Sequence, residues 1–244
     1  MVDISVAGDA ILDEYVTCGS RKSTPVATKR IWKPGGADNV VQNLWAIAPR
    51  LEVTPSTSPQ NVLTRYIING QTQLIWNCFR QHTPAQVLYQ GTVGIYSDYG
   101  HGFLSNVGMS PKHVVAIVDS KYRTLDKKVL QRSKLKIWRC TGDEYDKTWG
   151  RDFDYIVHTD GPNTITLLAG DGTELADIQV PSIQVIDTCG AGDTFTAALG
   201  AHLHAPAVAR VPDLQDIIDA CEFAIRAAQD VCVQDLTSVT RIRL

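Results

Sequence analysis

The sequence predicts an α/β protein in which a mostly parallel sheet lies between helical layers, and three observations carry that expectation. Short apolar runs at 92–96, 114–118, 134–138 and 154–158 are spaced like strands of a parallel sheet joined by crossovers. An opening run, Val2 to Gly8, ends in Gly8-Asp9, which sets a carboxylate at the C-terminal end of a strand, where open α/β sheets bind ligands. Apolar residues then recur at helical spacing from Gly192 to about His202 and from Leu214 to about Cys232.

The remaining elements follow in chain order. After Pro34-Gly35-Gly36, the spacing of Val40, Val41, Leu44 and Ile47 predicts a helix over 37–47, with Asp38 and Asn39 near its start. Residues 54–61, rich in Ser, Thr, Pro and Asn, read as a loop. The alternating runs 62–68 and 73–79 flank Asn69-Gly70, a dipeptide suited to a tight hairpin turn, and Asp171-Gly172 marks a second hairpin between 164–168 and 174–180. No repeat, low-complexity tract or interdomain linker breaks the pattern, so residues 1–244 are expected to form a single domain.

Composition narrows the function classes. The chain has 244 residues, 44% of them hydrophobic and 20% charged, enough for one large core or two modest ones. With a net charge of -3 and scattered Lys and Arg, it has no overall electrostatic reason to bind nucleic acid or an anionic membrane. No run of about eighteen apolar residues is present, and Met1 to Ser5 lacks the order of a signal peptide, so a cytoplasmic location is expected. Cysteines at 18, 78, 140, 189, 221 and 232 are widely spaced without a Cys-x-x-Cys pair, and reduced thiols are expected.

The sharpest chemical feature is Asp187-Thr188-Cys189-Gly190-Ala191-Gly192-Asp193-Thr194-Phe195, which follows a β-rich stretch and leads into a helix. Small residues at 190–192 let successive backbone N–H groups point into one concavity at the helix N-terminus, a nest for a transferring phosphoryl group. The carboxylate of Asp193 can sit beside that concavity and accept a hydroxyl proton. The short Gly-x-Gly pattern alone favours a plain glycine-rich turn with Asp193 as a helix-capping acid.

The full string resembles the C-terminal signature of the PfkB (ribokinase-like) carbohydrate kinases, Asp-Thr-x-Gly-Ala-Gly-Asp-x-Phe. Gly8-Asp9 with Asp13, then Pro34-Gly35-Gly36-Ala37 and Asn39, resemble the family's N-terminal pattern. The run Gly8 to Tyr15, Arg21, Ser23, Ser97-Asp98-Tyr99-Gly100-His101-Gly102 and Val118-Asp119-Ser120-Lys121 are similar to the heptose 7-phosphate kinases of ADP-heptose synthesis. The resemblance implies a ribokinase-like three-layer α/β/α sandwich with a small, reduced β lid from about 12–33 and 62–80. It implies ATP and Mg2+ as cosubstrate and cofactor, a sugar or sugar phosphate as substrate, and a homodimer through the lid. Asp193 would be the catalytic base, with Gly190, Ala191 and Gly192 as the anion hole. Asp9, Asp13, Gly35, Gly36 and Asn39 would hold the sugar. Thr141, Glu144, Thr159, Gly161, Asp187 and Thr188 would hold the nucleotide, Glu144 also serving the metal.

The sequence departs from the family in five places. Between Ile47 and Thr54 several dozen residues are missing, and the heptose kinases' Arg-x-Asp in the second lid hairpin is Trp76-Asn77-Cys78. The Asn-x-x-Glu motif is Thr141-Gly142-Asp143-Glu144, the nucleotide-side Thr-x-Gly-x-x-Gly is Thr159-Asp160-Gly161-Pro162-Asn163-Thr164, and the late Asn near the adenine is Ile225. These departures leave a second reading, a catalytically impaired relative that binds a sugar phosphate or a protein partner.

Other signals are weaker. No Gly-Lys-Ser or Gly-Lys-Thr is present, so a P-loop is excluded, and Phe195 stands where a dinucleotide fingerprint needs its third glycine. His202 and His204 are expected to be solvated residues facing different directions, and no zinc site is assigned. Asp98 and Asp119 fit equally a site and a turn, and Lys121 fits a phosphate contact or an exposed side chain. The five tryptophans are expected in core or lid packing.

Overall fold

The computed structural model describes residues 2–21, 24–68, 71–78, 80–85, 88–234 and 238–244, with only the backbone described for 20, 21, 24, 25 and 71–78. Ser23, the Asn69-Gly70 turn and the side chains of Arg21 and Trp76-Asn77-Cys78 lie outside the described residues.

A main sheet has the order β12-β11-β10-β9-β8-β7-β1-β4. Its strands are β1 (Val2–Gly8), β4 (Val53–Thr57), β7 (Gly91–Asp98), β8 (Val115–Ser120), β9 (Leu135–Thr141), β10 (Tyr155–Thr159), β11 (Ile165–Ala169) and β12 (Glu174–Ile178). From β10 to β4 all neighbours are parallel, and β11 and β12 close one edge as an antiparallel hairpin. The central strands are buried on both faces, which is why they read as near-continuous apolar runs.

The two faces are covered differently. Val93, Ile95, Val115, Ile117 and Ile137 pack against three helices, α1 (Ala37–Ile47), α3 (Ala191–Ala209) and α4 (Leu214–Cys232). On the opposite face Tyr96, Val118, Trp138 and Ile156 meet mainly irregular segments, a 3-10 turn and the one-turn helix α2 (Lys147–Gly150). Trp138, fully buried, stacks edge-on to Trp149 with centroids 4.7 Å apart. Trp32 and Trp45 depart from the packing expected of tryptophans: they are 47% and 46% exposed.

Three expectations change. Residues 53–57, all but the first within the expected loop 54–61, form β4, which extends the parallel sheet beyond β1. Its Val-Thr-Pro-Ser-Thr sequence lacks apolar alternation, so no strand period is visible. Glu52 and Ser58 bond towards β1, so by strand alternation Pro55 turns its missing N–H outward, where an edge strand tolerates it. Helix α3 runs past His202 to Ala209 because Leu199, Leu203 and Ala207 continue its buried stripe. His202 and His204 are accordingly half-buried, the first beside the Phe223 ring and the second with Nε2 3.3 Å from Asp3 Oδ1.

A second sheet, order β3-β2-β5-β6, is built from β2 (Ala10–Arg21), β3 (Thr24–Gly36), β5 (Asn61–Ile68) and β6 (Gln71–Cys78). It leaves the main sheet at the C-terminal ends of β1 and β4, and β2 pairs in parallel with β5 where the two excursions meet. Strands of 12 and 13 residues make up the β2–β3 hairpin of this lid.

Candidate active site

Under the lid, at the C-terminal ends of β7, β8 and β9, lies a cavity of about 740 Å3. Both helices that open onto it start from a glycine with positive φ, Gly36 at 58° and Gly190 at 83°, a conformation costly for other residues. Asp193 follows in the first turn of α3 and is 6% exposed. Each carboxylate oxygen has a donor: Asn39 Nδ2 donates to Oδ2 at 3.1 Å, and the Tyr99 hydroxyl to Oδ1 at 2.8 Å. Burial and the neighbouring Asp119 raise its pKa to about 6, against the lowering effect of Asn39, Lys121 and Tyr99.

The segment expected to form a three-amide nest differs from it in detail. The Ala191 N–H donates to Thr188 O at 3.2 Å, which leaves Gly192 and Asp193 as first-turn amides without an intrahelical acceptor. A side chain that the sequence reading missed completes the wall. The guanidinium of Arg139, from β9, lies against Gly192, where an added Cβ would be 3.1 Å from Nη2 and 3.2 Å from Nη1. Arg139 is held by both oxygens of Asp119 at 3.3 Å and donates to Thr159 Oγ1 at 3.3 Å. Its one sequence signal was a positive charge inside the apolar run Lys136-Ile137-Trp138-Arg139-Cys140. Lys121 also lines the cavity, its ammonium 4.5 Å from the Tyr99 ring centroid.

The residues expected on the sugar side divide between wall and support. Asp13 and Gly36 line the cavity, joined by Arg65 of β5, whose Nη2 is 3.2 Å from Asp13 Oδ1 and which the sequence reading also missed. Gly35 backs Asp13 closely; a Cβ there would stand 2.5 Å from Asp13 Oδ2. Asp9 and Asn39 are fully buried behind the wall. Asp9 Oδ2 accepts the backbone N–H groups of Tyr99 and His101 at 2.9 and 3.1 Å, and burial raises its pKa. Asn43 Nδ2 donates to Asn39 Oδ1 at 3.1 Å, which turns the Asn39 amide nitrogen towards Asp193. Asp98 is a structural anchor, accepting from Gly100 N, Ser120 Oγ, Thr124 N and Thr124 Oγ1.

On the other side of α3 an apolar cavity of about 460 Å3 shares Arg139, Thr141, Thr188 and Gly192 with the first. Gly161, Phe195 and Ile225 contribute to its lining, together with Thr159 and Ala191. Thr141 and Thr159 meet through their hydroxyls at 2.8 Å. Glu144 faces the first cavity while its Oε2 accepts the Thr141 N–H at 2.8 Å. Asp187 lines neither cavity; it accepts the Cys189 N–H at 2.9 Å and shapes the turn before the glycines.

Residues 154–240 match the pfkB family carbohydrate kinase family. Solved structures match over nearly the full length. A ribokinase from Giardia lamblia is 12% identical over 97% of this chain and 96% of its own, with a TM-score of 0.67. Ribokinase from Thermotoga maritima is 12% identical over 99% and 97%, with a TM-score of 0.68. Phosphofructokinase-2 from Escherichia coli is 13% identical over 99% and 96%, with a TM-score of 0.65. The chain therefore has a ribokinase-like fold, and its C-terminal part carries the pfkB carbohydrate kinase signature. No curated protein matches the sequence. Among the described residues no helix is long and apolar enough to cross a membrane.

Proposed function

We propose that the protein transfers the γ-phosphoryl group of ATP to a hydroxyl of a sugar or sugar phosphate, with Asp193 as general base. The observation that carries this reading is the meeting, in one cavity, of a buried carboxylate, two free helix-start amides and the Arg139 guanidinium. A plain capping acid would accept those amides itself, whereas Asp193 turns its oxygens to Asn39 and Tyr99, and it would need no guanidinium. The apolar cavity beside Phe195 and Ile225 suits a planar base, and the shared residues then direct the phosphates towards Gly192. Asp13 and Arg65 would orient the acceptor from the lid side. Asp193 would take the hydroxyl proton while the Gly192 and Asp193 amides and Arg139 balance charge on the transferring group. A carboxyl with a pKa of about 6 is ionised at neutral pH yet basic enough to accept a proton.

Glu144 fits a Mg2+ partner, because only one oxygen is committed to a backbone N–H and the group faces the cavity. When bound there, the ion would neutralise nucleotide phosphate charge. Heptose 7-phosphate is the first acceptor to try, on the strength of the motif resemblance at 8–15 and 97–121.

The test is ADP release from Mg-ATP against heptose 7-phosphate, fructose 6-phosphate and ribose. Acceptor-dependent release that falls by about 10^2–10^4 in Asp193→Asn is expected. Release untouched by that substitution would remove Asp193 from the chemistry. No release with any acceptor, together with thermal stabilisation by one of them, would favour a sugar-phosphate binding protein.

A further inference from the structure

We propose that Tyr99 is a positioning residue for Asp193: its phenol donates to Oδ1 and keeps that oxygen turned into the cavity, where an acceptor hydroxyl must deliver its proton. The inference rests on the kinase reading. A carboxylate in the first turn of a helix has a competing option, to fold back and accept the unpaired amides at its own N-terminus. The Gly190 cap offers no side chain for those amides, so the competition is real. Tyr99 and Asn39 hold one oxygen each, at 2.8 and 3.1 Å, and draw the carboxylate away from the helix end.

Tyr99 is itself held in place. Its N–H donates to Asp9 at 2.9 Å, the next N–H donates to Asp98 Oδ1 at 3.0 Å, and Lys121 sits over its ring. Gly100 and Gly102, with φ of 76° and 92°, let the chain turn sharply between these anchors. Asp9, buried behind the cavity wall, thus acts on Asp193 through this loop. Burial and the adjacent Asp193 and Asp119 push the ionisation of Tyr99 well above that of an ordinary phenol, so it remains a donor throughout the working pH range.

The charged and titratable groups around Asp193 are Asp119 from β8, Lys121 just beyond it, Arg139 from β9 and Tyr99 itself. Removing the phenolic hydroxyl takes away one donor to the ionised form. In Tyr99→Phe the acid limb of kcat/KM should move up by about one pH unit, and kcat should fall about tenfold or more with the KM for ATP unchanged. A drop in kcat with an unmoved limb would mean a purely structural role and overturn the proposal.

A readout without turnover separates this proposal from the kinase reading. The Asp193 carboxyl carbon, identified by its loss in Asp193→Asn, is titrated by 13C NMR in the ligand-free protein. A higher midpoint in Tyr99→Phe supports the proposal even if no sugar is phosphorylated, and an unchanged midpoint sinks it. Should the variant fail to fold, the wild-type Tyr99 Cζ resonance decides. It should shift as Asp193 titrates, and a flat signal would overturn the contact.

Discussion

The two walls of the main cavity are assembled in opposite ways. The wall at the start of α3 is contiguous: Thr188, Gly190, Gly192 and Asp193 fall within six residues, and local backbone geometry aims them. The facing wall is made by register. Parallel pairing sets Arg139 beside Asp119 and Thr141 beside Thr159, residues twenty or so apart in the chain. A contiguous wall needs little beyond its own turn, whereas a wall built from separate strand ends must balance its charges internally. Arg139 and Asp119 are 7% and 3% exposed, so the pair is largely shut off from solvent.

That difference predicts the largest effect for breaking the register-built wall. Arg139→Ala leaves Asp119 buried with Thr196 as its remaining close donor, and should cost roughly 3–5 kcal/mol in denaturant unfolding. Replacing both partners, as Arg139→Met with Asp119→Leu, should recover much of that loss, because apolar groups of similar volume need no partner. Turnover should stay low in both proteins. A double variant that regains turnover along with stability would reduce Arg139 to a structural element and leave the α3 amides alone at the phosphoryl end.

The contiguous wall should show itself through pH. The pKa of folded Asp193 is about 6, above the 3.8 of an ordinary aspartate. Between these values the folded state binds more protons than the unfolded one, so this group's contribution makes stability fall as pH rises from about 4 to 6. The shift corresponds to ~3 kcal/mol, all of it incurred by pH 7. Asp193→Asn lacks this dependence. Its unfolding free energy relative to wild type should therefore climb with pH and level off above pH 7. A constant offset from an unfavourable amide facing Asn39 would not alter that slope. Parallel curves for the two proteins would show that Asp193 titrates normally.

The same contrast explains what was legible in the sequence. β1, α1, the parallel strands and α4 follow from apolar period and glycine punctuation, because burial dictates both. The Gly190–Asp193 segment was readable because its chemistry and its geometry share one stretch of chain. Arg139 and Arg65 were not, since a lone basic residue in a strand declares no partner until the register brings one alongside. Asp9 and Asn39 drew attention by motif, yet they are enclosed behind the wall, acting through Tyr99 and Asp193. β4 escaped notice because an edge strand carrying Pro55 has neither apolar alternation nor a full set of donors.

The smallest predicted effect tests the seam where the two walls touch. Gly192 has ordinary helical backbone, so an alanine there meets no strain in φ; its nearest obstacle is the guanidinium of Arg139, within 3.1–3.4 Å of the added methyl. A free arginine would swing aside at little cost. This one is tied to Asp119 and Thr159, so it must shift by a few tenths of an ångström against three bonds of 3.3 Å. Gly192→Ala should lower stability by only about 1 kcal/mol. It should lower turnover about tenfold or more, because a small misplacement of a phosphoryl-stabilising group is felt strongly in the transition state. Unimpaired turnover with the stability loss would place the transferring group away from the seam, on the Asp193 side alone.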